Sequence, residues 1–99
     1  MKNLRYYLNR AYKEKWAIGQ FNFSDFSQVK GIVQAAQNLK APIILGTSEG
    51  EGKFVGLREA VAIRDVLRRK TNLHIFLNSD HGKSFEYLKE AILAGYDMV

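Results

Sequence analysis

Short apolar runs alternate with longer amphipathic segments throughout the 99-residue sequence. The strand-like runs are "WAIGQFNF" (16–23), "APIILG" (41–46) and "LHIFL" (73–77), and "YDMV" (96–99) resembles the start of a fourth. These runs start near residues 18, 43, 73 and 97, and about 30 residues is the length of one βαβ unit. The alternation therefore predicts an α/β fold with a parallel sheet and right-handed crossovers.

The segments between the runs carry apolar residues at the three- and four-residue spacing of a helix. Ser24 or Asp25 can cap the first of these helices, and Ser84 and Gly95 can begin and end the third. The residues expected to face the core are Phe26, Val29, Ile32, Val33, Ala36 and Leu39 in the first, Leu57, Ala60, Val61, Ile63, Val66 and Leu67 in the second, and Phe85, Leu88, Ala91 and Ile92 in the third. A polar, glycine-rich turn, "TSEGEGKFVG" (47–56), precedes the second helix.

The composition is that of an ordinary globular chain of at most one domain, with 46% hydrophobic and 25% charged residues. The absence of cysteine excludes a disulfide framework and thiolate metal sites. Residues 1–16 lack the apolar stretch of a signal peptide, and no later run approaches membrane-spanning length. We therefore expect a cytoplasmic protein that does not act at a membrane.

The first 16 residues instead place Leu4, Leu8, Ala11 and Tyr12 at helical spacing. This pattern predicts an amphipathic N-terminal helix that packs on a larger body, and binding to a membrane surface is the alternative interpretation.

The formal charge of +5 raises the question of nucleic-acid binding, most strongly at "RDVLRRK" (64–70). Apolar residues interrupt Arg64, Arg68 and Arg69, a spacing typical of the outer, solvated face of a helix, and no aromatic-rich binding motif accompanies them. We expect no nucleic-acid partner. The positive charge instead favours attraction of phosphorylated metabolites.

Two architectures contain strands and helices in this order, an open doubly wound sheet and a closed eight-stranded barrel. An open sheet that stopped at "YDMV" would leave an unpaired strand edge, whereas a barrel of about 250 residues cut after three and a half units would show this pattern. We therefore expect residues 1–99 to form the first three and a half β/α units of a TIM (β/α)8 barrel, preceded by an N-terminal helix. On this interpretation the chain is a fragment of a single barrel domain.

Polar side chains follow each strand-like run, namely Asn22, Ser48 with Glu49, and Asp80 with His81. In parallel βα proteins, ligands bind beyond the carboxyl ends of the strands, so these residues are expected to meet at one rim. In "TSEGEG" (47–52), hydroxyls and glycines that permit positive φ could bring backbone N–H groups close to an anion. A plain surface loop is the alternative for this segment.

The stretch "FLNSDHGKS" (76–84) places an acid beside an imidazole at a strand end. Asp80 could serve as a general acid or base, or it could cap the turn. His81 could bind a metal or form a hydrogen bond at the turn, but His74 is roughly 23 Å away and on the opposite face, so other ligands would lie outside this chain. Asp80 and His81 can face one pocket only if the chain twists at Gly82.

Four segments, "GQFNF", "APIILGTSEGEGKFVG", "FLNSDHGKSFE" and "AGYDMV", resemble in order and spacing the first part of the class II fructose-bisphosphate aldolases and their tagatose-bisphosphate relatives. The resemblance covers about the first 40% of such a barrel. It implies zinc-dependent, reversible cleavage of fructose or tagatose 1,6-bisphosphate to dihydroxyacetone phosphate and glyceraldehyde 3-phosphate, a reaction of carbohydrate metabolism. A phosphorylated sugar substrate and a homo-oligomeric full-length form are implied as well.

The resemblance also implies roles for individual residues. Asp80 would exchange a proton with the substrate hydroxyl, His81 would bind Zn²⁺, and Ser48 would contact the phosphate of the aldehyde-side triose. Many relatives carry histidine two places before the aspartate, where this sequence has Asn78. The remaining zinc ligands are expected outside this chain, so the 99 residues alone should be inactive. The alternative function is a non-catalytic sugar-phosphate-binding or interaction fragment.

Overall fold

A computed structural model describes residues 2–99 as a three-stranded parallel sheet with five helices. In chain order the elements are α1 (Leu4–Glu14), β1 (Gly19–Asn22), α2 (Phe26–Leu39), β2 (Ile43–Ser48), α3 (Glu49–Val55), α4 (Leu57–Thr71), β3 (Ile75–Asp80) and α5 (Phe85–Ala94). The strands lie side by side in the order β1-β2-β3, all parallel. The α/β fold predicted from the alternation is confirmed. No helix within residues 2–99 is long and apolar enough to cross a membrane.

One face of the sheet forms the main hydrophobic core. Leu45 of β2 and Ile75 and Leu77 of β3 are completely buried there against apolar side chains of α2, α4 and α5. Burying one such side chain contributes about 1.5–3 kcal/mol. This face therefore supplies most of the apolar driving force for the fold.

The opposite face is apolar only in its amino-terminal half. There Ile44 and Phe76 pack against Leu4 and Tyr7 of α1. The predicted N-terminal helix is thus confirmed, but its buried stripe consists of Leu4, Tyr7 and Ala11, while Leu8 and Tyr12 are exposed. Tyr7 takes their place in the contact because its ring stacks on that of His74, with the centroids 4.6 Å apart.

The other predicted helices form, and their caps are Asp25 for α2 and Ser84 for α5, with Gly95 following the end of α5. Their buried stripes are narrower than expected, and the buried residues are Val29, Val33 and Ala36 in α2, Ala60, Arg64 and Leu67 in α4, and Tyr87 and Ala91 in α5. The predicted core residues that the structure leaves exposed are Phe26, Leu39, Val66, Phe85 and Ile92.

The predicted turn at 47–56 is wrong, because β2 continues through Ser48 and α3 follows it directly. A capping box stabilises the start of α3, in which Ser48 Oγ accepts from the Glu51 N–H and the Glu51 carboxylate accepts from the Ser48 N–H. Gly52 is buried within α3, where an added Cβ would overlap the Tyr87 hydroxyl. Its small size, rather than positive φ, accounts for this glycine.

The prediction of a solvated basic face on α4 is wrong for Arg64, whose side chain is only 7% exposed. Its Nη1 donates to Asp97 Oδ2 at 2.8 Å and to the Gly95 carbonyl at 2.7 Å. Spacing along α4 did not reveal this burial because both partners lie about thirty residues further along the chain. The basic character of the segment thus serves in part to hold the fold together.

Asp97 also anchors the segment that follows α5 to the edge of β3. Its Oδ2 accepts from the Leu77 N–H at 2.8 Å, and its own N–H donates to the Leu77 carbonyl at 2.9 Å. Met98 then pairs in parallel with Asn78. The segment therefore begins a fourth strand at the place expected from the sequence.

Replacing Asp97 with alanine is expected to lower the free energy of unfolding by about 2–3 kcal/mol. It removes one of the two carboxylates that pair with the buried Arg64 guanidinium, leaving Asp65, and it also removes the acceptor of the Leu77 N–H. Urea denaturation followed by circular dichroism measures this change. Glu90→Ala, an exposed substitution on α5, is the matched control and should change the midpoint little. A loss equal to that of the control would show that Asp97 does not stabilise the fold.

Candidate functional site

The carboxyl ends of the three strands bring the candidate polar residues to one edge of the sheet. In the observed register Asn22 lies opposite Gly46, and Ser48 lies opposite Asp80. The structure thus brings Asn22, Ser48 and Asp80 together, as the positions of these residues at the strand ends predict.

Asp80 is fixed by a hydrogen bond that joins the two outer strands. Asn22 Nδ2 on β1 donates to Asp80 Oδ2 on β3 at 3.0 Å. Neighbouring strands lie about 4.8 Å apart, so side chains of β1 and β3 can meet only if β2 has none between them. Gly46 supplies this gap, since an added Cβ there would overlap the side chains of Asn22 and Gln20.

The same hydrogen bond is the last link in a chain of amide groups. Asn78 Nδ2 donates to Gln20 Oε1 at 2.9 Å, and Gln20 Nε2 donates to Asn22 Oδ1 at 2.6 Å. All three amides therefore donate in the same direction, towards the Asp80 carboxylate. Such chains of hydrogen bonds polarise one another, which strengthens the last bond. Asn78, buried beneath the site, begins the chain with a side chain that does not titrate.

His81 follows β3 directly and has a left-handed backbone with φ of 57°. This conformation costs about 1 kcal/mol or more for a residue other than glycine, and such strain is concentrated at functional sites. Its side chain is 85% exposed, and Nε2 lies 3.7 Å from Asp80 Oδ1. The expected twist therefore occurs at His81 itself. Gly82 has a different role, because an added Cβ there would overlap Leu88.

The structure argues against a capping role for Asp80. Ser84 is the N-cap of α5, where its Oγ accepts from the Tyr87 N–H at 3.1 Å, and Asp80 is bound to Asn22 instead. His74 precedes β3 at the opposite end of the strand, stacked on Tyr7. It is therefore not available to His81 as a partner, as the sequence predicts.

Ser48 has two functions in the local structure, as the last residue of β2 and the N-cap of α3. One lone pair of Oγ accepts from the Glu51 N–H at 3.1 Å, which fixes the oxygen. Glu51 in turn accepts from the Ser48 N–H at 2.8 Å and from the Ser24 hydroxyl at 2.8 Å. The hydroxyl proton of Ser48 can still donate to an oxygen atom at the rim.

Two opposing effects set the pKa of Glu51. Burial alone would raise it, but the hydrogen bonds from the Ser48 N–H and the Ser24 hydroxyl favour the ionised form and bring the pKa below its ordinary value. Glu51 therefore carries a negative charge at neutral pH.

Glu49 lies at the first position of α3 and bridges to the turn after β3. Its Oε1 accepts from the Lys83 N–H at 2.9 Å, and its Oε2 pairs with Lys53 Nζ at 3.1 Å. The Lys83 N–H is the larger of these influences, and together they lower the pKa of Glu49.

Sequence reasoning did not identify Gln20, Glu51 and Asn78 as parts of the site. Two patterns in the sequence do indicate Gln20 and Glu51. Gln20 shares a sheet face with Asn22 by its two-residue spacing, and the Ser48–Glu51 spacing is that of a capping box.

The donor atoms at the rim provide only part of a metal site. The exposed imidazole of His81 fits one position in the coordination shell of zinc, but residues 2–99 contain no group of three His, Cys, Asp or Glu side chains that could hold a metal ion.

Comparisons with known proteins agree on one family. The model of the family described as "Fructose-bisphosphate aldolase class-II" matches residues 2–99. A probable fructose-bisphosphate aldolase of Bacillus subtilis is 39% identical over 95 residues, and a fructose-bisphosphate aldolase of Geobacillus stearothermophilus is 38% identical over 95. Each alignment covers 93% of this chain and 33% of the relative, so the chain spans about a third of the length of these curated relatives.

Solved structures show a similar fold. The YdjI aldolase of Escherichia coli matches with a TM-score of 0.83 at 24% identity, over 96% of this chain and 37% of that one. The fructose-bisphosphate aldolase of Campylobacter jejuni matches with a TM-score of 0.77 at 20% identity, over 92% of this chain and 29% of that one. The arrangement of strands and helices is therefore shared with these aldolases.

The lowered pKa of Glu51 predicts a pH dependence of stability. Its contribution should be complete above the ordinary pKa of 4.5 and should be lost as the pH falls through the lower value of the folded state. Glu51→Gln keeps the capping geometry but not the charge, so it should be less stable than the wild type by about 1 kcal/mol near neutral pH. The urea midpoints of the wild type and the Glu51→Gln variant should therefore converge as the pH is lowered from about 6 to about 3. A difference between the two midpoints that does not change with pH would contradict the lowered pKa of Glu51.

Proposed function

Because the chain belongs to the class II fructose-bisphosphate aldolase family, we propose that it supplies part of the active site of a zinc-dependent aldolase. The substrate is a ketose bisphosphate, fructose 1,6-bisphosphate or its tagatose isomer, and the products are dihydroxyacetone phosphate and glyceraldehyde 3-phosphate. The observation that carries the proposal is the position of Asp80, bound to Asn22 beside the exposed His81 at the carboxyl edge of the sheet.

The whole protein is proposed to be a TIM (β/α)8 barrel, with residues 1–99 as the N-terminal part of that single domain. Two observations support this. The strands follow one another in sequence order, and the helices between them pack on one face of the sheet. A doubly wound sheet would instead reverse its strand order and place helices on both faces. A homo-oligomeric full-length form stays a prediction.

Asp80 is the proposed general acid and base. Asn22 occupies Oδ2, which leaves Oδ1 to face the substrate. In the cleavage direction Asp80 accepts the proton of the substrate hydroxyl, and the carbon that bears this hydroxyl becomes the aldehyde as the carbon–carbon bond breaks. The electron pair of that bond stays on the ketone fragment, which takes up a proton to become dihydroxyacetone phosphate. In the condensation direction the ketone fragment loses that proton, and Asp80 returns its proton to the new hydroxyl. The amide chain ending at Asn22 keeps the carboxylate oriented for both steps.

His81 is the residue of this chain that would hold zinc. When bound, zinc supplies Lewis-acid polarisation of the substrate carbonyl. Catalytic zinc typically takes three protein ligands, so the others are proposed to come from the part of the protein outside these 99 residues. His81 contributes a ring that its left-handed backbone leaves exposed at the rim.

Ser48 is proposed to bind the phosphate of the aldehyde-side triose. Its Oγ is fixed by the Glu51 N–H, so the hydroxyl can donate to a phosphate oxygen from a set position. The net charge of +5 favours the approach of an anionic substrate.

The 99-residue chain is expected to bind zinc no more tightly than a peptide with a single histidine, because residues 2–99 contain no group of three His, Cys, Asp or Glu side chains that could hold a metal ion around His81. Isothermal titration calorimetry with zinc chloride measures the affinity. Submicromolar affinity would contradict the proposal that the other ligands lie elsewhere.

Activity is expected when residues 1–99 are expressed together with the complementary two thirds of the Bacillus subtilis relative, as a coupled assay with fructose 1,6-bisphosphate would show. Asp80→Asn should lower kcat about 100-fold or more, since it removes the acid–base group. Glu90→Gln, away from the rim, is the matched control. Unchanged turnover in Asp80→Asn would overturn the role of Asp80. Saturable binding of the sugar bisphosphate without turnover would favour the non-catalytic binding module.

A further inference from the structure

We propose that Glu49 is a positioning residue that holds the turn carrying His81 in place. The functional meaning of this role rests on the proposed function, in which His81 binds the metal. The physical claim concerns the turn alone and can be tested without activity.

The turn between β3 and α5 has few attachments of its own. Within the described chain, the bond from the Lys83 N–H to Glu49 Oε1 at 2.9 Å is the only hydrogen bond found for the backbone of residues 81–83. Asp80 before the turn is held by Asn22, and Ser84 after it is held as the cap of α5. Glu49 therefore holds the middle of a segment whose two ends are already fixed.

The strained backbone of His81 makes this attachment important. A left-handed residue returns to a more favourable conformation unless its surroundings hold it. Packing of Gly82 against Leu88 restricts one side of the turn, and the carboxylate of Glu49 restrains the other. A hydrogen bond to an ionised carboxylate is roughly twice as strong as one to a neutral acceptor, so the charge of Glu49 matters as well as its shape.

Glu49 itself is well positioned for this role. Its side chain is only 15% exposed, and its other oxygen pairs with Lys53, one turn further along α3. Because Glu49 follows Ser48 directly, the helix whose cap is proposed to bind phosphate also carries the group that holds the His81 turn.

Amide hydrogen exchange of the 99-residue chain, followed by NMR, tests the proposal. The protection of the Lys83 amide is compared with that of the Leu77 amide of β3 in the same sample, which reports the stability of the sheet. Glu49→Ala should lower the protection of Lys83 relative to Leu77 about tenfold, and Glu49→Gln, which retains a neutral acceptor, should lower it less. Glu90→Ala is the matched control and should leave the ratio unchanged.

An unchanged ratio in Glu49→Ala would overturn the proposal, and so would an equal loss at Lys83 and Leu77, because Glu49 would then act on the whole fold. A larger loss in alanine than in glutamine, confined to Lys83, would support it. None of these results depends on turnover. Failure of this proposal is therefore distinguishable from failure of the aldolase proposal, which the Asp80→Asn assay tests separately.

Discussion

The parallel pairing of β2 with β3 is the constraint on which the rest of the structure depends. Both strands are covered by α2, α4 and α5 on one face, and α1 covers the amino-terminal half of the other. A slip of one residue would move Leu45 and Leu77 out of the core, so the register is firmly set. That register places Ser48 opposite Asp80, and the polar rim inherits its geometry from apolar contacts beneath it.

The local patterns of the sequence were sufficient to predict the three strands and four of the five helices, but not α3 or the contacts between distant segments. Asp25 and Ser84 act as caps through neighbours three residues away, so their roles follow from spacing alone. Arg64 looked like a surface residue because its partner Asp97 lies on another element. The glycines of α3 looked like a loop because the reason for Gly52 is the hydroxyl of Tyr87, 35 residues later.

The candidate site divides along the same line. The position of Asp80 and His81 at a strand end is a local property and was predicted. The hydrogen bond from Asn22 to Asp80 could not be predicted from local patterns. It spans 58 residues of sequence, and it depends on Gly46, which has no side chain, on the strand between. The twist in the chain was expected at Gly82, because glycine is the residue that most often adopts a left-handed conformation. In the structure His81 adopts this conformation, and Gly82 instead provides room for Leu88.

Gly46 allows the polar contacts at the rim because it has no side chain. A residue with no side chain determines which groups on the two flanking strands can reach each other, so position 46 controls a contact in which it takes no part. In a saturation mutagenesis screen for activity, substitutions of Gly46 would be as damaging as those of Asn22 and Asp80, although Gly46 has no side chain with which to take part in the reaction. Selection for activity would thus retain glycine at position 46 as strictly as it retains the carboxylate at position 80.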